Sequence, residues 1–498
     1  MLRVFTVSIY LHISKTNGCK MTVFKAVIIF NYLQFVYCSS VYYESGFKYL
    51  TEYVLSQIAS SADISTTNTR WILQKVDHFD DKSKTWKMRY FENLKFFKHK
   101  GPVYIYLGGE SEASPGYLSA GIIKSLAQET NGAMFLTEHR YYGKSLPFDD
   151  ITTNVKHMKW LSSRQALADI AHLIKNIKTN PTFKLSKVVV IGGSYAGNLA
   201  AWMRLMYSDL VDAAIASSGP VIAKKDFFEY LEKVNENYEL YGTEECLDKI
   251  KKVFAKCEEM LQSPEGIEEL KNKFNICPEC DMNVVENQWV FFSTLMSQFM
   301  SNSQYGNPQR IKEHCSKLDN SMRNTSNTML WNSKSKCMNI EFDSMIKAIQ
   351  RDLGAYSWTY QTCTEFGYYQ TTTSDSQPFG KTVPLDFFIK MCRNVYGPDF
   401  DEDRVDKGVD TTNKMYGGLS PNVTRVVFVN GDMDPWSRLG ILEDLSYEAP
   451  ATVIHRASHC TDLLPDVPGA TEEIKEAAEH AKYLIKHWIG VDDNSVVF

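Results

Sequence analysis

The stretch that most constrains this chain is Lys187-Val-Val-Val-Ile-Gly-Gly-Ser-Tyr-Ala-Gly197. A β-branched, apolar run feeds into a glycine-flanked serine, and the residues after it, Asn198 to Tyr207, read as a helix. Strand, sharp turn and helix form the context that lifts one hydroxyl clear of a sheet edge, and the strained backbone there requires small neighbours. That hydroxyl belongs to Ser194. One position departs from the G-x-S-x-G pattern, because Ala196 stands where a second glycine is expected. Alanine is still small enough for the turn. The bland alternative is an ordinary Gly/Ser turn after a buried strand.

A nucleophilic serine needs a base, and the base needs an acid to orient it; in hydrolases of this topology they follow in the order Ser, Asp/Glu, His. Arg425-Val-Val-Phe-Val-Asn-Gly431 is a second buried-strand run, followed by Asp432-Met-Asp-Pro-Trp436. Ala451-Thr-Val-Ile-His455 reads as one more strand and leads into Arg456-Ala-Ser-His-Cys460. Acid and histidine thus each follow a late strand, where loops at the carboxyl edge of a parallel sheet converge. Asp434 is assigned as the acid, with Asp432 as competitor. His459 is assigned as the base, because His455 falls inside the apolar strand and reads as a core residue.

The chain has 498 residues, is 44% hydrophobic and carries a formal charge of −5, enough for one large core and an insertion. The first 40 residues hold Arg3, Lys15, Lys20 and Lys25 and no acid, which leaves −9 for the remainder. Neither nucleic acid nor an anionic membrane is implied as a partner. Met21–Lys25 and the apolar run after it read as a signal peptide, with Cys38 or Ser40 before the cleavage point and Met21 as an alternative start. Asn31 and Gln34 interrupt the run, so a membrane anchor is not expected. Residues 41–70 read as a leader or propeptide-like arm.

Trp71–Phe79 and Thr85–Phe91 predict a hairpin, and Pro102–Leu107, Ala133–Thr137, Lys187–Ile191 and Ala213–Ala216 predict further strands around the helix Ser162–Lys175. After Pro220 the texture becomes helical, through Phe227–Tyr238, Cys246–Leu261, Ile267–Phe274, Phe291–Met300 and Phe342–Leu353. The fold class expected is α/β: an α/β-hydrolase parallel sheet built from residues 71–220 and 410–498, with an inserted helical cap at 221–409.

Gly192-Gly-Ser-Tyr-Ala-Gly197, Glu138-His-Arg-Tyr-Tyr-Gly143, Tyr360-Gln-Thr-Cys-Thr-Glu-Phe366, Asn430-Gly-Asp-Met-Asp-Pro-Trp436 and Ser458-His-Cys460 together resemble the S28 serine exopeptidases. The resemblance runs from about Trp71 to the C-terminus. It places a triad on Ser194, Asp434 and His459, in agreement with the strand-end assignment. It also implies cleavage next to proline near a peptide end, puts Trp436 and Phe366 near the subsite for that ring, and pairs Cys363 with Cys392.

An oxyanion needs two fixed donors. The Tyr195 N–H is the first expected, and the Gly109 or Glu110 N–H, in the loop after an early strand, is the second. The cluster Glu138–Tyr142 reads as a structural ion-pair network. Glu110 and Glu365 are the candidate anchors for a substrate amine, which weakly favours a dipeptidyl peptidase; a basic anchor would favour a carboxypeptidase. An esterase or lipase of the same fold, and a catalytically silent binding protein, are also compatible with these residues. The eight cysteines from Cys246 to Cys392 are all expected to pair as disulfides in an oxidising compartment. Cys460 is left over as a free thiol. Cys277-Pro-Glu-Cys280 could instead hold zinc or form a redox pair, but no second C-x-x-C or histidine pair accompanies it, so no metal and no cofactor is expected. Sequons at Asn324 and Asn422 agree with a secreted or lysosomal glycoprotein. A peptide is the partner expected, and a homodimer is left open.

Overall fold

The computed structural model describes residues 64–323 and 337–491. The expected signal region, most of the arm at 41–70 and the Asn324 sequon lie outside the described residues. Eight strands form one sheet: β1 Thr67–Lys75, β2 Thr85–Asn93, β3 Val103–Tyr106, β4 Ala133–Thr137, β5 Val188–Gly193, β6 Ala213–Ser217, β9 Val426–Gly431 and β10 Ala451–Ile454, in the order β1-β2-β4-β3-β5-β6-β9-β10. β1 and β2 pair antiparallel, as do β2 and β4; every other pairing is parallel. This is an α/β-hydrolase sheet with an inserted helical region. β1 begins four residues before the expected Trp71. It also stops earlier, because Asp77 turns the chain by accepting the N–H of Phe79 at 2.9 Å.

The β5 run is buried on both faces, which is why it reads as continuously apolar rather than alternating. Val188 and Val190 join the core formed with the helices Ser163–Thr179 and Tyr195–Met206. Val189 and Ile191 join a second core with the helices Gly121–Thr130 and Glu472–Ile489. Helices therefore cover both faces, and the strand ends remain as the place where loops gather. The helix Ser163–Thr179 starts where Ser162 Oγ accepts the Gln165 N–H, a side-chain N-cap, and buries Leu167, Ile170, Leu173, Ile174 and Ile177.

The insertion leaves after β6 and returns at β9, and these strands are neighbours, Ala214 opposite Val426. Its helices include Glu229–Tyr241, Cys246–Met260, Pro264–Phe274, Val285–Tyr305, Phe342–Arg351 and Leu385–Tyr396. Residue 409, the expected end of the insertion, lies inside the helix Glu402–Tyr416. A two-stranded sheet, β7 Lys224–Asp226 with β8 Gly367–Tyr369, has no counterpart in the helical reading. Disulfides join Cys246 to Cys315, Cys277 to Cys337 and Cys363 to Cys392. Cys257 and Cys280 stay as buried thiols, so the expectation that all eight cysteines of this region pair is corrected. The bond at Cys277 also removes it as a zinc or redox partner of Cys280.

Candidate active site

Ser194 sits between β5 and the helix Tyr195–Met206 with φ 58° and ψ −133°, a backbone conformation disfavoured for a residue with a side chain. Its N–H donates to the Ser217 carbonyl at 2.9 Å, which pins the turn to the end of β6. A Cβ on Gly192 would lie 2.0 Å from the Ala196 carbonyl oxygen, so this glycine is obligatory. Ala196 packs against Gly109: a Cβ on that glycine would stand 3.4 Å from the Ala196 Cβ, an ordinary van der Waals contact. The expected oxyanion loop is thus packed directly on the nucleophile turn. Tyr195, the other expected donor, is the first residue of the helix.

Asp434 follows β9 and is fully buried. One oxygen accepts the Trp436 N–H at 3.0 Å, and the other is 2.7 Å from His459 Nδ1. Burial opposes a charge on His459, but the neighbouring Asp434 carboxylate and, after it, Cys460 together outweigh it and hold the imidazole well above its usual range. The competing residues form a pair of their own: His455 Nδ1 is 2.7 Å from Asp432 Oδ2. His455 is exposed, which corrects its reading as a core residue.

Ser194 and His459 line one cavity of about 290 Å³ together with Gly109, Glu110, Tyr305 and Cys460. The free Cys460 is half-buried in its wall. Burial raises the Glu110 carboxyl to about 7, offset in part by its own backbone N–H, by His459 and by a hydrogen bond with Ser194. Arg456, exposed, also lines this cavity. The insertion reaches the site at the end of the helix Val285–Tyr305. The Gln304 carbonyl accepts the His459 N–H at 2.9 Å, and the Tyr305 ring stands edge-on to the imidazole at 6.0 Å. Asn237 donates to the Met433 carbonyl at 2.7 Å.

Three expected substrate residues do not line this cavity. Glu365 accepts Ser163 N–H and Oγ–H, each at 2.9 Å, and so caps the helix Ser163–Thr179; it is corrected from anchor to cap. Its carboxyl is raised to about 7 by the same burial. Phe366 is fully buried behind the nucleophile, against Tyr195 at 5.3 Å and Tyr368 at 5.4 Å. Trp436 packs on Phe227, Tyr230 and Tyr368, and reaches the site only through its N–H to Asp434. The Glu138 cluster is an ion-pair network: Arg89 Nε reaches Glu138 at 3.1 Å and Arg140 Nε reaches Asp169 at 2.6 Å. Gln304 and Tyr305 carry no sequence signal for the site, because tertiary packing alone brings them there; Arg456 is carried in by the loop of His459 itself.

The family model described as serine carboxypeptidase S28 matches residues 74–481. The chain belongs to the S28 family. Mouse thymus-specific serine protease is 30% identical over 84% of this chain and 87% of its own length, and the human protein of that name is 29% identical over 86% and 88%. Lysosomal Pro-X carboxypeptidase of Pongo abelii is 30% identical over 78% and 82%. This S28 chain is a serine-type peptidase. Among its described residues, no helix is long and apolar enough to cross a membrane.

Proposed function

We propose that this peptidase is a secreted or lysosomal exopeptidase that cuts short peptides next to proline near one end, through an acyl-enzyme on Ser194. The observation that carries the reading is the buried Asp434–His459 pair on the cavity that also holds Ser194 at its strained turn. Ser194 Oγ attacks the scissile carbonyl while His459 takes its proton. Asp434 fixes the imidazole tautomer and stabilises the imidazolium. The N–H groups of Tyr195 and of Gly109 or Glu110 receive the negative oxygen. His459 then protonates the leaving amine, and water, deprotonated by the same imidazole, frees the acid product.

The amino-terminal polarity rests on Glu110. Its carboxyl hydrogen-bonds with Ser194, and an incoming ammonium would draw it back to its ionised form. Arg456 favours the other polarity, because an exposed guanidinium in the same cavity suits a terminal carboxylate. Acetylating the N-terminus of a good proline-containing substrate should strongly lower kcat/KM, with C-terminal amidation nearly neutral. The reverse pattern selects the carboxypeptidase. Faster turnover of short esters, with no cleavage of peptides, would select an esterase, and absence of turnover on both a silent binding protein.

A further inference from the structure

Resting on the assignment of Ser194, Asp434 and His459, we propose that Asp462 is a positioning residue of the reaction: bonded to Ser217, it ties the His459 loop to the nucleophile turn, and a negative charge on it keeps His459 protonated and so unable to take the serine's proton. Asp462 is 98% buried, three residues after His459, and Ser217 Oγ donates to its Oδ1. Ser217 is the same residue whose carbonyl holds the Ser194 N–H. The tie is reinforced next door, where the Cys460 N–H donates to Ser218 Oγ at 2.9 Å. The loop packs closely enough that a Cβ on Gly193 would lie 2.7 Å from Leu463 and 2.9 Å from Cys460 Sγ.

The second oxygen, Oδ2, is buried with no hydrogen-bond partner among the described residues. An ionised carboxylate left in that state is costly, whereas a protonated one needs less support. The groups that face it are Ser217 from β6, His459 from its own loop, Asp434 from the loop after β9, and Tyr106 from β3. Burial raises its carboxyl to about 6; the Ser217 bond, its own backbone N–H and His459 lower it, and Asp434 raises it further. A negative charge there adds to that of Asp434 and holds the imidazole protonated more firmly.

The test is the rate of fluorophosphonate labelling from pH 4.5 to 9 for the full chain and for Asp462→Asn, Asp462→Leu and Ser194→Ala. Asp462→Asn keeps an acceptor for Ser217 without the charge. It should retain the plateau rate and move the acid limb down by about one pH unit. Asp462→Leu cuts the tie and should lose about 10- to 100-fold at the plateau, as a displaced catalytic group does. A profile for Asp462→Asn that superimposes on the unmodified chain, or a full plateau rate for Asp462→Leu, would overturn the proposal. If Asp462→Leu does not fold, the Asp462→Asn profile decides alone. Undiminished labelling of Ser194→Ala would overturn the nucleophile assignment itself, and this inference with it.

Discussion

Two aspartate–histidine pairs lie side by side after β9 and β10, and only their surroundings separate them. Both have Nδ1 to Oδ2 distances of 2.7 Å. In the outer pair the side chains of His455 and Asp432 are 64% and 28% exposed; in the inner pair those of His459 and Asp434 are 2% and 0% exposed. Water screens the outer pair, so it resembles a surface ion pair of little energetic consequence. The inner pair is dry, its acid also takes a backbone N–H, and the insertion fixes its histidine through the Gln304 carbonyl. Pairing alone does not set the two apart; burial and the contact with the insertion do.

The largest break of that comparison comes from substituting the acids. Asp434→Asn should lower kcat by about four orders of magnitude, because an amide favours the wrong imidazole tautomer. Asp432→Asn should change it by no more than about twofold, as surface pairs contribute little. Steady-state kinetics on one peptide substrate measures both, and reversed effects would move the acid to Asp432.

Glu110 extends the comparison to another residue of the same cavity. Glu110→Gln should lower kcat/KM for a free-amine substrate by about 10- to 100-fold, the loss of one charge-assisted hydrogen bond, and leave the N-acetylated substrate unchanged. Equal losses on both substrates would remove its role as anchor.

A buried imidazole outside the dyad gives the next effect. Burial holds His139 at about 4, opposed by its contact with the Arg140 carbonyl. The folded value lies below the unfolded value of about 6.5, so the unfolded chain binds the extra proton between those limits. Stability from this group is therefore present above pH 6.5 and is lost as the pH falls toward 4, by up to about 3 kcal/mol. Urea midpoints at pH 7 and pH 4.5 should fall less steeply for His139→Asn. An unchanged slope would assign the acid sensitivity to other groups.

The smallest effect concerns the support that only the inner pair has. Tyr230 donates to Gln304 Oε1 at 2.7 Å, steadying the residue whose carbonyl holds His459. Tyr230→Phe should cost about 1 kcal/mol, a fewfold drop in kcat with little change in KM. A pure KM effect would place Tyr230 in substrate binding instead.

The sheet and the dyad are legible in the sequence because each rests on a short strand that ends in a turn. Val188–Ile191 and Val426–Val429 are apolar runs without charge, and the reactive residues follow directly. His455 misleads for a related reason. β10 is the edge strand, with Val453 exposed, so its apolar run does not signal burial. Glu365 sits in a motif loop, but the loop does not encode which way the carboxylate turns, and it turns to cap a helix. Gln304, Tyr305 and Asp462 are not legible at all. They reach the site through the docking of the insertion and the packing of the loop after His459, which no local periodicity records.

The central claim is that Ser194 is the nucleophile served by His459 and Asp434. Its most direct test is a fluorophosphonate reaction followed by peptide mass mapping, on the unmodified chain and on Ser194→Ala, Asp434→Asn and Asp432→Asn. The account predicts one adduct, on the peptide carrying Ser194, absent from Ser194→Ala, formed much more slowly in Asp434→Asn and at the normal rate in Asp432→Asn. An adduct on another residue, or normal labelling of Asp434→Asn alongside slowed labelling of Asp432→Asn, would contradict it.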